Sequence, residues 1–163
     1  MFDPDVLARA RTVLEAARAR GLTLSTAESC TGGLVAGALT AVSGSSDVVA
    51  CGFVTYSNAA KTRMLGVSAD LIADRGAVSP EVARAMAEGA AATAGTALSV
   101  AITGVAGPGG GSVDKPVGLV QFAAVGPAGT IALECRFGDR GRDGVRAAAV
   151  LQALDLLLDR ATA

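Results

Sequence analysis

Leu22-Thr23-Leu24-Ser25-Thr26-Ala27-Glu28-Ser29-Cys30-Thr31-Gly32-Gly33-Leu34-Val35-Ala36-Gly37-Ala38-Leu39-Thr40-Ala41-Val42 is the stretch whose reading decides the fold. Leu22 and Leu24 alternate with Thr23 and Ser25, the period of a strand, and after the glycines Leu34, Val35, Ala38, Leu39 and Val42 recur at helical spacing. Between the two runs lies a polar elbow, Ala27 to Gly33. A strand that ends in small polar residues and opens a helix brings hydroxyls, a thiol and a carboxylate to a helix N-terminus. There, free backbone N–H groups favour anions and developing oxyanions. A plainer role fits as well: Ser29 or Thr31 as the helix N-cap.

Working outward, Asp3-Pro4 reads as N-cap and first helical residue, with Val6, Leu7, Ala10, Val13, Leu14 and Ala17 on one face and Gly21 as the stop. After the elbow helix, Asp47 to Ser57 holds a second strand whose nearly continuous apolar run predicts a central position in the sheet. Asn58 is expected to cap a short helix, Ala59 to Leu65, closed by Gly66, and Ser68 another that ends at Arg75-Gly76. Ser79-Pro80-Glu81 opens a longer helix with Val82, Met86 and Ala90 facing inward. Ala97 to Thr103 is a third, buried strand leading into the glycine-rich loop Gly104 to Ser112. Val117 to Val125 and Thr130 to Phe137 flank Gly126-Pro127-Ala128-Gly129 as a hairpin, and a final helix places Val150, Leu154, Leu157 and Leu158 inward.

Strands alternating with helices, then a hairpin, predict an α/β chain of one domain, residues 1–163. Its architecture is a three-layer α/β/α sandwich on a mixed, mostly parallel sheet with one antiparallel strand. Ligands of such sheets gather beyond the carboxyl ends of parallel strands, so the elbow, the Tyr56 region and the glycine loop are expected on one rim.

Composition narrows the chemistry. The 163 residues are 51% hydrophobic but only 3% aromatic, with a mean hydropathy of +0.48. Fourteen basic and fifteen acidic residues offer no overall attraction to nucleic acid or to a membrane, and no apolar run approaches a bilayer-spanning length. A soluble, cytoplasmic protein is expected. Histidine is absent, which excludes Ser-His-Asp and Cys-His catalysis within one chain. Cys30, Cys51 and Cys135 stand far apart, without metal-ligand or disulfide spacing.

A base other than imidazole is therefore required for hydrolysis. Lys61 and Lys115 are the only lysines and Tyr56 the only tyrosine. A serine nucleophile can use lysine, but no Ser-x-x-Lys spacing is present, so Ser29 and Lys61 would have to meet through the fold. On spacing alone Lys61 reads as a surface residue. The glycine loop is neither a Walker A motif nor a dinucleotide fingerprint; it can serve as an anion nest or as a simple turn. Arg140, Arg142 and Arg146 gather at the start of the last helix, where the dipole disfavours cations unless an anion is bound. Solvated surface charge is the alternative.

Taken together, Glu28-Ser29-Cys30-Thr31-Gly32-Gly33, Tyr56-Ser57-Asn58-Ala59-Ala60-Lys61, Leu65-Gly66-Val67, Gly76-Ala77-Val78-Ser79, Thr103 to Gly111, Lys115-Pro116-Val117-Gly118 and Gly138-Asp139-Arg140 with Val145-Arg146 resemble the CinA C-terminal family. The blocks fall in family order and cover nearly all of the chain after Gly21. The resemblance implies a three-layer fold with five strands and an oligomeric enzyme. Its activity would be nicotinamide-mononucleotide deamidation, which yields nicotinate mononucleotide and ammonia without metal or cofactor. It implies Ser29 as nucleophile and Lys61 as general base. Tyr56, Thr31, Gly32, Thr103, Gly104, Gly107, Arg140 and Arg146 are the implied substrate-binding set, with Arg142 a third candidate arginine. N–H groups at the Thr31 helix start or in the glycine loop would receive the oxyanion. Two alternatives stand beside this: a non-catalytic nucleotide-binding or assembly domain, and an acyl transfer in which Cys30 is the nucleophile. Longer family members carry an additional N-terminal domain.

Overall fold

Every residue of β1 (Leu24–Glu28) is buried, because the strand is flanked on both edges and covered on both faces. The computed structural model describes residues 1–163 and arranges five strands in the order β2-β1-β3-β4-β5. These are β1, β2 (Val49–Val54), β3 (Leu98–Gly104), β4 (Leu119–Gly126) and β5 (Gly129–Arg136). β1 pairs in parallel with β2 and β3, while β4 runs antiparallel to both of its neighbours. One strand of the five thus opposes the rest, as the hairpin reading requires.

Helices cover both faces. On one side α1 (Pro4–Ala19), α2 (Leu34–Thr40) and α6 (Gly141–Thr162) enclose the larger core, which includes Leu14, Leu24, Leu39, Ile102, Phe122 and Leu154. On the other, α3 (Asn58–Leu65), α4 (Ala69–Arg75) and α5 (Pro80–Ala94) pack over Ala27, Ala101 and Ala123 through Val82, Met86 and Ala90. Small residues on this second face let α5 lie close to the sheet. They also bring α3 against α5 at Gly89, where a Cβ would collide with the Leu65 carbonyl.

The caps follow the sequence closely. Asp3 accepts from the Asp5 N–H at 2.8 Å with Pro4 opening α1, and Ser68 and Ser79 cap α4 and α5. Gly66 ends α3 at φ +69°, a conformation that costs glycine nothing.

Two expectations are corrected. The cap of α3 is Ser57, whose hydroxyl accepts from the Ala60 N–H at 3.1 Å, so Asn58 is the first helical residue. β2 is an edge strand, not a central one: Val49, Cys51 and Phe53 are half-buried while Ala50, Gly52 and Val54 alternate with them on the exposed side, and Phe53 packs against the α5 side. Leu158 is half-buried and packs against the core, facing inward as expected.

Candidate active site

The carboxyl ends of β1, β2 and β3 converge on one rim, and the serine of the elbow sits at its centre. Ser29 follows β1 directly; its N–H donates to the Ile102 carbonyl at 2.9 Å and its carbonyl accepts from Gly32 N–H at 3.0 Å. Beside it, the Thr55 N–H donates to the Glu28 carbonyl at 2.8 Å, which ties the end of β2 to the elbow and aims the start of α3 across it. Lys61 Nζ therefore reaches Ser29 Oγ at 3.0 Å across 32 residues of sequence, and donates to the Thr55 carbonyl at 2.7 Å. Only 1% of Lys61 is exposed, and no carboxylate pairs with it. Burial pushes its pKa below the ordinary lysine value, because the charged form loses water and gains no counter-ion. Arg63 is exposed on α3, and burial, not that neighbouring charge, causes the shift.

The other lysine is elsewhere: Lys115 Nζ donates to the Arg75 carbonyl at 2.7 Å, fastening the loop before β4 to the end of α4.

At the start of α2 the structure departs from both sequence readings. Gly33 is the N-cap residue, at φ +99°, and neither Ser29 nor Thr31 caps the helix. Instead the fully buried Glu28 carboxylate accepts from the N–H groups of Gly33, Val35 and Ala36, at 3.0, 3.1 and 2.9 Å. Those donors are thus engaged. No oxygen of the chain accepts from the N–H groups of Cys30 and Thr31, one step earlier, although the Cys30 N–H lies close to its own thiol. Thr31 is fully buried and its hydroxyl has no partner. Cys30 is 5% exposed, and its thiol is pushed up to about 11, first by burial and also by the Glu28 charge.

A cleft of about 210 Å³ opens over Ser29, Cys30 and Lys61, with Tyr56, Asn58, Thr103, Gly104 and Arg142 along its walls. The Thr103 hydroxyl donates to the Ala77 carbonyl at 2.9 Å, fixing the loop before α5 at the edge of the cleft. Arg142 spans the opening: one nitrogen donates to the Gly107 carbonyl and another to the Tyr56 hydroxyl, both at 2.9 Å. Gly107 holds φ +80° against Val117, where a side chain would clash with the Val117 methyl.

Of the three arginines, the structure brings Arg142 into the cleft. Arg140 is exposed and donates to the Phe137 carbonyl at 3.0 Å. Arg146 lies behind the elbow and donates to the carbonyls of Cys30 and Thr31 at 3.1 and 3.4 Å, close against Gly32. Gly32 and Arg146 therefore shape the elbow from its far side. Asn58 and Ala77-Val78 also line the cleft, and sequence reasoning passed over them. Asn58 was legible only as a cap, and apolar residues such as Ala77 carry no chemical signal. The helix boundary separates the arginines: Arg142 and Arg146 share a face of α6 at i, i+4, and Arg140 precedes it.

No three His, Cys, Asp or Glu side chains converge in the fold, and no helix is long and apolar enough to cross a membrane.

Residues 7–161 match the family model of the CinA C-terminal domain. A CinA-like protein of Synechococcus sp. (strain RCC307) is 54% identical over 157 residues, which is 96% of this chain and 38% of that protein. A CinA-like protein of Anaeromyxobacter sp. (strain K) is 56% identical over 140 residues, 85% of this chain and 34% of that one. The chain thus spans little more than a third of the length of these curated relatives. Among solved structures, the competence/damage inducible protein CihA from Agrobacterium tumefaciens superposes with a TM-score of 0.95 at 49% identity, covering 98% of this chain and 97% of that one. A competence-damaged protein (CinA) superfamily protein from Escherichia coli gives 0.91 at 37% identity, covering 97% and 92%.

Proposed function

The chain belongs to the CinA C-terminal domain family, and from that premise we propose that it is an amidohydrolase that converts nicotinamide mononucleotide and water to nicotinate mononucleotide and ammonia. One observation carries the chemical half of this reading: an almost fully buried lysine without a counter-ion, 3.0 Å from the hydroxyl of a serine at the floor of a cleft. The substrate half rests on the family resemblance, supported by an arginine and a glycine-rich loop at the cleft mouth that suit a phosphate.

A neutral Lys61 amine donates one hydrogen to the Thr55 carbonyl and accepts the Ser29 hydroxyl on its lone pair. As Ser29 Oγ bonds to the carboxamide carbon, its proton passes to Lys61 Nζ. The N–H groups of Cys30 and Thr31, from which no oxygen of the chain accepts, follow Ser29 directly in the chain and are suited to the developing oxyanion. The C–N bond then breaks, ammonia leaves with the proton from Lys61, and an ester to Ser29 remains. Water attacks that ester, giving a proton to Lys61, and the acid departs as Ser29 is reprotonated.

An ordinary lysine leaves about one molecule in 2,500 neutral at pH 7, a deficit of about 4.6 kcal/mol. Burial works in the direction that closes it. With Ser57 as cap, Lys61 is the fourth helical residue and gains little from the helix start, so desolvation supplies most of the change.

The test is ammonia release from nicotinamide mononucleotide by purified protein, with Ser29→Ala as control. Ammonia from the native protein alone is expected. Binding of the mononucleotide without ammonia release would favour a non-catalytic nucleotide-binding domain.

A further inference from the structure

Behind the elbow the chain holds a second cavity that the proposed reaction does not use. Its volume is about 320 Å³, against about 210 Å³ for the cleft over Ser29, and the two share no lining residue. Its walls come from the approach to α1, the start of α2 and the first turns of α6. Phe2, Leu34 and Val150 supply apolar surface, and Arg146 supplies a cation. The Phe2 ring lies close against α2, where a Cβ on Gly37 would come within 3.2 Å of its Cζ, so this wall is held by packing. A mostly apolar cavity of this size with a few polar groups at fixed positions has the form of a small-molecule site.

Arg146 decides what kind of molecule fits. A guanidinium carries five N–H donors. Nε donates to the Cys30 carbonyl at 3.1 Å and Nη2 to the Thr31 carbonyl at 3.4 Å, which leaves three donors without an acceptor in the chain. The side chain is half-buried and takes part in no ion pair. A partly desolvated cation with spare donors beside apolar surface favours an anion that brings an apolar body. The other charged groups at the cavity are both carboxylates. Asp3 accepts from the Asp5 N–H as the cap of α1, and Asp143 is exposed and forms no ion pair. Their negative charge repels a dianion such as a phosphate monoester more than a ligand with a single charge.

We propose that this cavity is a second ligand site, separate from the cleft over Ser29, for a small organic monoanion. The apolar body of the ligand lies against Phe2, Leu34 and Val150, and its carboxylate or sulfonate takes the free N–H groups of Arg146.

The experiment is a fluorescence titration of the full chain at neutral pH with anilinonaphthalene sulfonate, an aromatic body with one negative charge that brightens on leaving water. One saturable site per chain is expected. Cyclohexanecarboxylate is expected to displace the probe at concentrations about tenfold below those at which its uncharged counterpart, cyclohexylmethanol, does so. Arg146→Met keeps the stem and removes the charge, and is expected to weaken probe binding about tenfold or more. Ala147→Phe, at an exposed position of α6 that lines the cavity, fills part of it and is expected to weaken binding by a similar factor. Arg142→Ala, at the mouth of the other cleft, is expected to leave binding within about twofold of native. Absence of saturable binding by the native chain overturns the proposal with no variant needed. Equal displacement by the acid and the alcohol does the same, which covers the case of an Arg146→Met chain that does not fold. Unchanged binding in folded Arg146→Met or Ala147→Phe overturns it too, and loss of binding in Arg142→Ala alone would move the site to the cleft. No nucleotide enters the experiment, so its outcome is independent of the amidohydrolase reading.

Discussion

The floor of the cleft and its mouth are built on opposite terms. At the floor, Lys61, Thr55 and Glu28 are buried and their bonds run to backbone groups, to Ser29 or to the Thr26 hydroxyl. At the mouth, Tyr56 is 62% exposed and Arg142 crosses open space to reach it and the Gly107 carbonyl. Breaking a buried bond strands a polar group away from water, at about 1–3 kcal/mol, whereas an exposed bond exchanges with solvent at little cost. The floor is therefore rigid by necessity, and the mouth can trade its bonds for those of an arriving anion. In the proposed reaction, the first region carries the chemistry and the second the recognition.

The sharpest way to break this division is at the nucleophile. Ser29→Ala is expected to lower turnover of nicotinamide mononucleotide by about a thousandfold or more while binding remains measurable by calorimetry. Cys30→Ala, one residue away, is expected to keep most of the native rate. The reverse pattern would transfer the nucleophile to the thiol.

Arg142→Ala comes next. Loss of a charge-assisted contact is expected to raise KM for the mononucleotide about 10- to 100-fold with little change in kcat, and to affect nicotinamide riboside far less. Equal losses for both ligands would make Arg142 a structural strut. Arg140→Ala, outside the cleft, is expected to stay within about twofold of native in both constants.

The floor also carries a cost in stability. Lys61 titrates below its unfolded value of about 10.4, so at low pH both states hold the proton and the folded state bears the full penalty of a buried charge. As pH rises from the folded value towards that of the unfolded chain, unfolding takes up a proton and stability recovers. Lys61→Met should thus be inactive yet about 1 kcal/mol more stable than native near pH 6, with the margin shrinking towards pH 10. Urea denaturation at several pH values reads this directly. A margin that does not change with pH would mean that Lys61 is not desolvated in the folded state. The smallest effect is expected from exhaustive chelation: since the proposed steps use only protein groups, ammonia release should be unchanged, and a loss restored by a divalent ion would contradict them.

What the sequence could reveal follows the same division. Helix starts at Asp3-Pro4, Ser68 and Ser79-Pro80 were legible because a cap is a local event between residues two or three apart. The order of elements and the single antiparallel strand followed from the hairpin spacing. Ser29 and Lys61 were each visible as residue types. Their meeting was not, since it depends on the parallel pairing of β1 with β2 and on the bond from Thr55 to Glu28. Glu28 was hidden for a related reason: its backbone donors lie five to eight residues ahead, at and beyond a pair of glycines that turn the chain back. β2 misled because an uncharged apolar run looks the same at an edge as in the middle. Arg142 could be chosen over Arg140 only once the start of α6 was known, a boundary that exposed charges do little to mark.

The most direct test of a neutral Lys61 as the base for Ser29 is ammonia release from nicotinamide mononucleotide by native protein and Lys61→Arg across about pH 6 to 10. The native rate is expected to rise with pH through an inflection well below that of free lysine. Lys61→Arg, permanently charged, is expected to fall to the level of Lys61→Ala throughout. Retention of about a tenth or more of native turnover by Lys61→Arg at neutral pH would contradict the general-base role and leave Lys61 a positioning group for Ser29.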